Sequence, residues 1–118
     1  MEQHEIILVP KRNFDENTDC WQSYANSGEF DDFVQWWLKL PENETLWDVY
    51  MAFNETLDLL IDHYEDEEIP AEKVDAAINI ADTFREKKTG VLEKMAFDKL
   101  MQALTKAKEL GQPVYFWF

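Results

Sequence analysis

The sequence predicts a mixed α+β domain, with an α/β arrangement as the variant, in which four helices pack around a small sheet formed by the N- and C-terminal strands. Three observations lead there. Short β-prone apolar runs stand at the two ends, Glu5-Ile-Ile-Leu-Val9 and Val114-Tyr-Phe-Trp-Phe118. Between them, apolar residues recur at helical spacing in four blocks. Proline and glycine fall at the block boundaries, at Pro41, Pro70, Gly90, Gly111 and Pro113.

Taken in order, residues 5–9 read as a strand that is apolar without alternation, so burial on both faces is expected. Residues 11–27, rich in Asn, Asp and Ser, read as a loop pinned by Phe14, Trp21 and Tyr24. A first helix is expected from Glu29 to Leu40. Ser27 would cap it, Phe30, Phe33, Val34, Trp37 and Leu38 would face inward, and Pro41 would end it. A second helix starts at Asn43 or Thr45 and runs to Tyr64, with Leu46, Tyr50, Phe53, Leu57, Leu60 and Tyr64 as its core stripe. Residues 65–69 form an acidic link. Pro70 suits the first turn of a third helix whose stripe is Val74, Ala77, Ile78, Ala81 and Phe84. The fourth helix, Val91 to Glu109, buries Leu92, Met95, Ala96, Leu100, Ala103, Leu104 and Ala107, and Gly111 then Pro113 stop it. The two terminal strands pair with each other, in parallel if the helices act as a crossover, or with a third strand that has no clear signature.

A chain of 118 residues, 46% hydrophobic, forms one domain with a real core. Its net charge is −14, and the excess is lopsided. Residues 1–68 hold 18 acids against three bases, while residues 69–118 hold seven acids against eight bases. A directional field of this kind favours a cationic partner and disfavours direct contact with nucleic acid or an anionic membrane. Apolar runs fall far short of a membrane span, and the N-terminus lacks the charge order of a secretory signal, so a cytoplasmic location is expected. The single Cys20 forms no internal disulfide and reads as an ordinary small side chain.

Catalytic and metal chemistry find little support. The chain has neither a Gly-x-Ser-x-Gly element nor a glycine-rich phosphate loop. Cys20 with His4 or His63 has no dyad-like spacing. The residue three before His63 is Leu60, not the Glu of a helical di-metal site, and the 62–68 run lacks the central Gly of a calcium loop. Carboxylate pairs are too many for any one to be singled out as an acid–base couple. No enzyme activity, cofactor, metal or small-molecule ligand is expected.

What remains is an acidic surface with polar and apolar residues interleaved. Glu55, Asp58, Asp62 and Glu65 would stack on one helix face and continue into Asp66, Glu67 and Glu68. Trp47, Met51, Asn54, Asp58 and Asp62 follow at spacings of four, three, four and four, with Asp48 beside them. Apolar anchors inside a charged rim are the pattern of a protein interface. The alternative is that Trp47 and Met51 merely widen the core stripe and that the acids serve solubility.

Leu40-Pro41-Glu42, Leu46-Trp47-Asp48 and the run Ala107-Lys108-Glu109-Leu110-Gly111 leading into a C-terminal strand resemble the barstar family. Barstars are small acidic intracellular inhibitors whose helix plugs the cationic active site of a secreted bacterial ribonuclease. The resemblance implies that Asp48 stands where that family has its key inhibitory Asp, and Trp47 where it has the preceding Trp. The chain is shorter than the family between Glu42 and Leu46. With the charge argument, the expected function is an acidic inhibitor or immunity protein that occludes a basic partner such as a nuclease toxin. A phage-type nucleic-acid mimic that blocks a DNA-binding protein is the second reading. A housekeeping or metal-handling domain is the third.

Overall fold

The computed structural model describes residues 5–11, 33–62 and 66–118, with the backbone alone for Asp66. The expectations for most of the 11–27 loop, for residues 29–32, and for His4, Cys20, His63, Tyr64 and Glu65 lie outside the described residues. The elements are β1 (Ile6–Pro10), β2 (Phe33–Trp37), α1 (Leu40–Glu44), α2 (Trp47–Leu57), β3 (Asp66–Ile69), α3 (Val74–Asp82), α4 (Val91–Leu110) and β4 (Val114–Trp117). Short 3₁₀ turns at Ala71–Lys73 and Arg85–Lys87 flank α3. Mixed α+β is therefore the fold class, and the sheet order is β2-β1-β4-β3 with every pair antiparallel.

The two terminal strands do pair, Ile7 opposite Phe116, at the centre of the sheet. They run antiparallel, against the parallel crossover considered above. Two further strands break the connection between them, so no single βαβ unit imposes direction. β1 is buried along its whole length. Ile7 and Val9 enter the main core beneath the helices, while Ile6 and Leu8 join Phe33 and Tyr115 in a second cluster on the opposite face. That is the two-sided burial expected of a strand without alternation.

The segment expected as the end of a first helix is β2. Phe33, Val34, Trp36 and Trp37 fit helical spacing, but β-branched and aromatic residues equally suit a strand, and a short apolar run does not decide between the two periods. Pairing with the free edge of β1 decides it: Val34 lies opposite Val9, and Trp36 opposite Ile7. Pro41 then opens α1 instead of closing a helix. Glu42 Oε1 accepts the Lys39 backbone N–H at 3.0 Å, the reciprocal half of a capping box.

The second helix is shorter than expected. It ends at Leu57 because Asp58 adopts the left-handed conformation at φ 57°. Beyond it the burial pattern changes period: Leu57, Leu59 and Ile61 are buried, while Asp58, Leu60 and Asp62 are exposed. Alternation by twos is the signature of extended chain. Residues 66–69 of the expected acidic link form β3, the edge strand beside β4, with Glu67 opposite Phe116 and Ile69 opposite Val114. Asp and Glu are poor strand formers, but charge on an edge blocks pairing with other chains.

α3 and α4 follow the expected stripes with one revision. Leu92 and Met95 are 42% and 49% exposed, and Phe97 takes the core position instead. At Gly111, φ is 67°, and the Gln112 N–H reaches back to the Ala107 carbonyl at 2.8 Å, closing α4. The core is dense with aromatics: Tyr50 lies 5.5 Å from Phe116 and 5.7 Å from Phe118 between ring centroids. Burying one such ring contributes about 1.5–3 kcal/mol. A buried polar link ties the residue preceding β1 to α1 and α2: Asn43 donates to Glu5 Oε2 at 2.6 Å, and the Tyr50 hydroxyl donates to Asn43 Oδ1 at 2.7 Å.

Candidate partner-binding surface

The surface is built from the C-terminal half of α2, the 58–62 turn and β3. Between Lys39 and Lys73 the chain carries eleven acids and neither a lysine nor an arginine. The turn brings two of these acidic segments together. Leu60 N–H donates to Glu67 Oε2 at 2.8 Å, joining the turn to the edge strand. Asn54 holds the turn to the helix: its side-chain amide donates to the Ile61 carbonyl at 2.9 Å, and its carbonyl accepts the Ile61 N–H at 2.8 Å. Lys73 reaches the same place from the other side, but its ammonium is taken by the Leu57 carbonyl at 2.7 Å, at the negative end of α2.

The expected site residues separate. Glu55 and Asp58 are exposed on the end of α2, and Asp62 is exposed on the turn. They do not stack on one helix, because the helix stops at Leu57. Asp66, Glu67 and Glu68 lie on β3, and Glu67 folds its carboxylate back onto the Leu60 and Glu68 N–H groups, 2.8 Å from each. Glu65 lies outside the described residues. Met51 is 53% exposed, whereas Trp47 is half-buried, edge-on to Tyr50 at 5.5 Å, and packs against the main core. The flank thus divides, with Trp47 widening the core and Met51 standing out.

Asp48 has an internal role that sequence spacing does not reveal. Its two carboxylate oxygens accept from Lys88 Nζ at 2.7 and 2.9 Å, and the same ammonium donates to the Thr45 carbonyl at 2.7 Å. Lys88 is 5% exposed while the Asp48 side chain is 47% exposed. A buried ammonium with three acceptors is well satisfied. It also offsets the Asp48 charge, so this acid adds little to the surface field.

Leu60 was expected in the core and is 75% exposed. It borders a shallow groove of about 240 Å³ with Met51, Asn54, Ile61 and Asp62. The signal that could have found it is the period-two run Leu57, Leu59, Ile61, which leaves residue 60 facing outward. A larger groove of about 430 Å³ crosses the outer side of α4, lined by Trp36, Met101 and Gln102 with Arg85, Lys106, Asp98 and Glu109. Its two signs of charge give it no preference for a cation.

Among the described residues, no cluster of His, Cys, Asp and Glu is arranged to hold a metal ion, and no helix is long and apolar enough to cross a membrane. No family model, curated protein or solved structure matches this chain.

Proposed function

We propose that this protein is an acidic inhibitor, of the immunity-protein kind, that binds a basic protein and occludes its working surface in the cytoplasm. A nuclease toxin is the partner whose chemistry fits best, since its active site gathers Lys and Arg to receive phosphates. Carboxylates would take the places of those phosphates. The observation that carries this reading is the hydrogen bond from Leu60 to Glu67, which brings the acidic turn after α2 against the acidic edge strand. The barstar resemblance would give Asp48 the central part. The Lys88 pairing shifts the emphasis toward Glu55, Asp58 and Asp62.

The test is a double charge reversal, Asp58→Lys with Asp62→Lys, both at exposed positions. The fold should hold, with the midpoint lowered by about 4 °C, because the left-handed backbone at Asp58 accepts Lys less readily than Asp at a cost of about 1 kcal/mol. Capture of the partner from source cells at low salt should weaken by about ten- to a hundredfold, taking about 1 kcal/mol for each contact reversed. The partner should be basic, and its release should depend on salt. An unchanged affinity and an unchanged salt dependence would reject the reading.

A further inference from the structure

We propose that Leu60 is the apolar anchor of this surface, entering an apolar recess rimmed by Lys and Arg on a basic protein, with Asn54 as its positioning residue. The inference rests on the inhibitor reading and names the determinant within it. Exposure alone does not single Leu60 out, since Val91 is 79% exposed on α4; what distinguishes Leu60 is its place among acids on a hydrogen-bonded turn. Its neighbours Leu59 and Ile61 are 7% and 2% exposed, so the backbone is fixed on both sides. Its own N–H is held by Glu67, and both polar groups of Ile61 are held by Asn54. The side chain is therefore presented on ordered backbone, which lowers the entropy lost on binding.

The occupant follows from charge and shape. Asp62 shares the groove with the leucine, Glu67 holds its backbone N–H, and Asp58 is exposed two residues earlier, while Lys73, the first base after Lys39, is engaged with the Leu57 carbonyl. Such a rim repels phosphates, whether of nucleic acid or of anionic lipid. It attracts a cationic protein surface. The leucine projects from the surface instead of lining an enclosed cavity, so it suits a protein recess better than a small molecule. Met51, across the same groove, extends the apolar contact.

The probe is a displayed library of random peptides, selected on the full chain and then measured singly against variants. Selected peptides should combine clustered Lys or Arg with an aliphatic or aromatic residue. Their affinity should fall about tenfold or more on Leu60→Asp, as expected for loss of one buried leucine side chain. That variant should keep its circular dichroism and unfolding midpoint, since the position is exposed. Asn54→Ala should weaken binding severalfold in the native background and not in the Leu60→Asp background, a difference that a purely structural role would not produce. If basic peptides bind Leu60→Asp as well as the native chain but lose Asp58→Lys/Asp62→Lys, the anchor is wrong and the inhibitor reading stands. If selection yields no basic-apolar consensus, or binding ignores both sets of changes, both are wrong.

Discussion

Asp48 and Lys88 form an ion pair whose two members differ in burial, and that difference makes a quantitative prediction. Lys88 is almost wholly enclosed, whereas about half of the Asp48 side chain meets water. Asp48→Ala strips the buried ammonium of two of its three acceptors and leaves the Thr45 carbonyl alone. Removing one partner of a buried pair costs about 3–5 kcal/mol, and the open side of this pair places the value near the lower end, about 3 kcal/mol. Lys88→Met keeps the apolar stem in its packing and leaves a carboxylate that water already reaches, so about 1–2 kcal/mol is expected. In a chain of this size, with about 4 °C of midpoint per kcal/mol, Asp48→Ala should melt about 12 °C lower and Lys88→Met about 6 °C lower. The double variant should resemble Lys88→Met, because with the ammonium gone the carboxylate has nothing left to neutralise. Thermal and urea unfolding of the four proteins make the comparison. If Lys88→Met is the more damaging single change, or if the two effects simply add, the burial argument is wrong. The same numbers bear on binding. An Asp48 variant must be assayed well below its lowered midpoint, or unfolding will pass for loss of a contact.

Two further predictions concern pH. Burial pushes the Glu42 carboxyl up, but the Lys39 backbone N–H and the Lys99 ammonium, 2.9 Å away, outweigh it and hold the group below the usual glutamate range. A lowered folded pKa contributes stability above the ordinary value of about 4.3, and loses it as pH falls through the folded value. Glu42→Gln should therefore cost about 1.5–3 kcal/mol at pH 7, and the gap to the native protein should narrow in urea unfolding as the pH is lowered below the ordinary glutamate range. A gap independent of pH would refute the assignment. Tyr50 is displaced in the other direction: burial, then the nearby Glu5 charge, raises its hydroxyl well above the ordinary range. A raised folded pKa gives stability that is complete below about pH 10 and lost as pH climbs past it. Tyr50→Phe should cost about 1–2 kcal/mol at pH 7, by leaving Asn43 Oδ1 without its donor, and the native advantage should shrink in unfolding measured near pH 11.

The helical halves of α3 and α4 were legible because their stripes are long enough to establish a period, and because Pro70 and Gly111 mark their limits. The strands at the two ends were legible because their composition admits little else. Most of what was not legible depended on neighbours far along the chain. Phe33–Trp37 fits either period, and only the open edge of β1 makes it a strand. Asp66–Glu68 would be a solvated run in isolation, and only the open edge of β4 extends it. The end of α2 turns on Asn54 closing over Ile61, a contact between side chain and backbone that leaves no compositional mark. Of the candidate surface, the sequence showed the charge and its location. It did not show which acids the fold itself uses, since an acid that accepts an internal hydrogen bond looks the same in a sequence as one that faces solvent.

That distinction changes how the acidic surface can be mapped. Glu5, Glu42, Asp48 and Glu67 each accept an internal hydrogen bond that joins separate parts of the fold. Neutralising any of them alters stability or geometry as well as field. Glu67 is the clearest case, because its loss would release Leu60 and thereby disturb the surface without any direct contact to a partner. A scan of acids alone would then rank Asp48 and Glu67 highly whether or not a partner touches them. Leu60 is free of this ambiguity. Its side chain carries no charge and accepts no internal bond, and most of its area faces water, so a change there moves binding with little reason to move the fold. An effect at Leu60 together with salt-dependent effects at Asp58 and Asp62 that exceed their change in unfolding midpoint identifies a contact surface. An effect confined to Asp48 and Glu67 identifies only the framework beneath it.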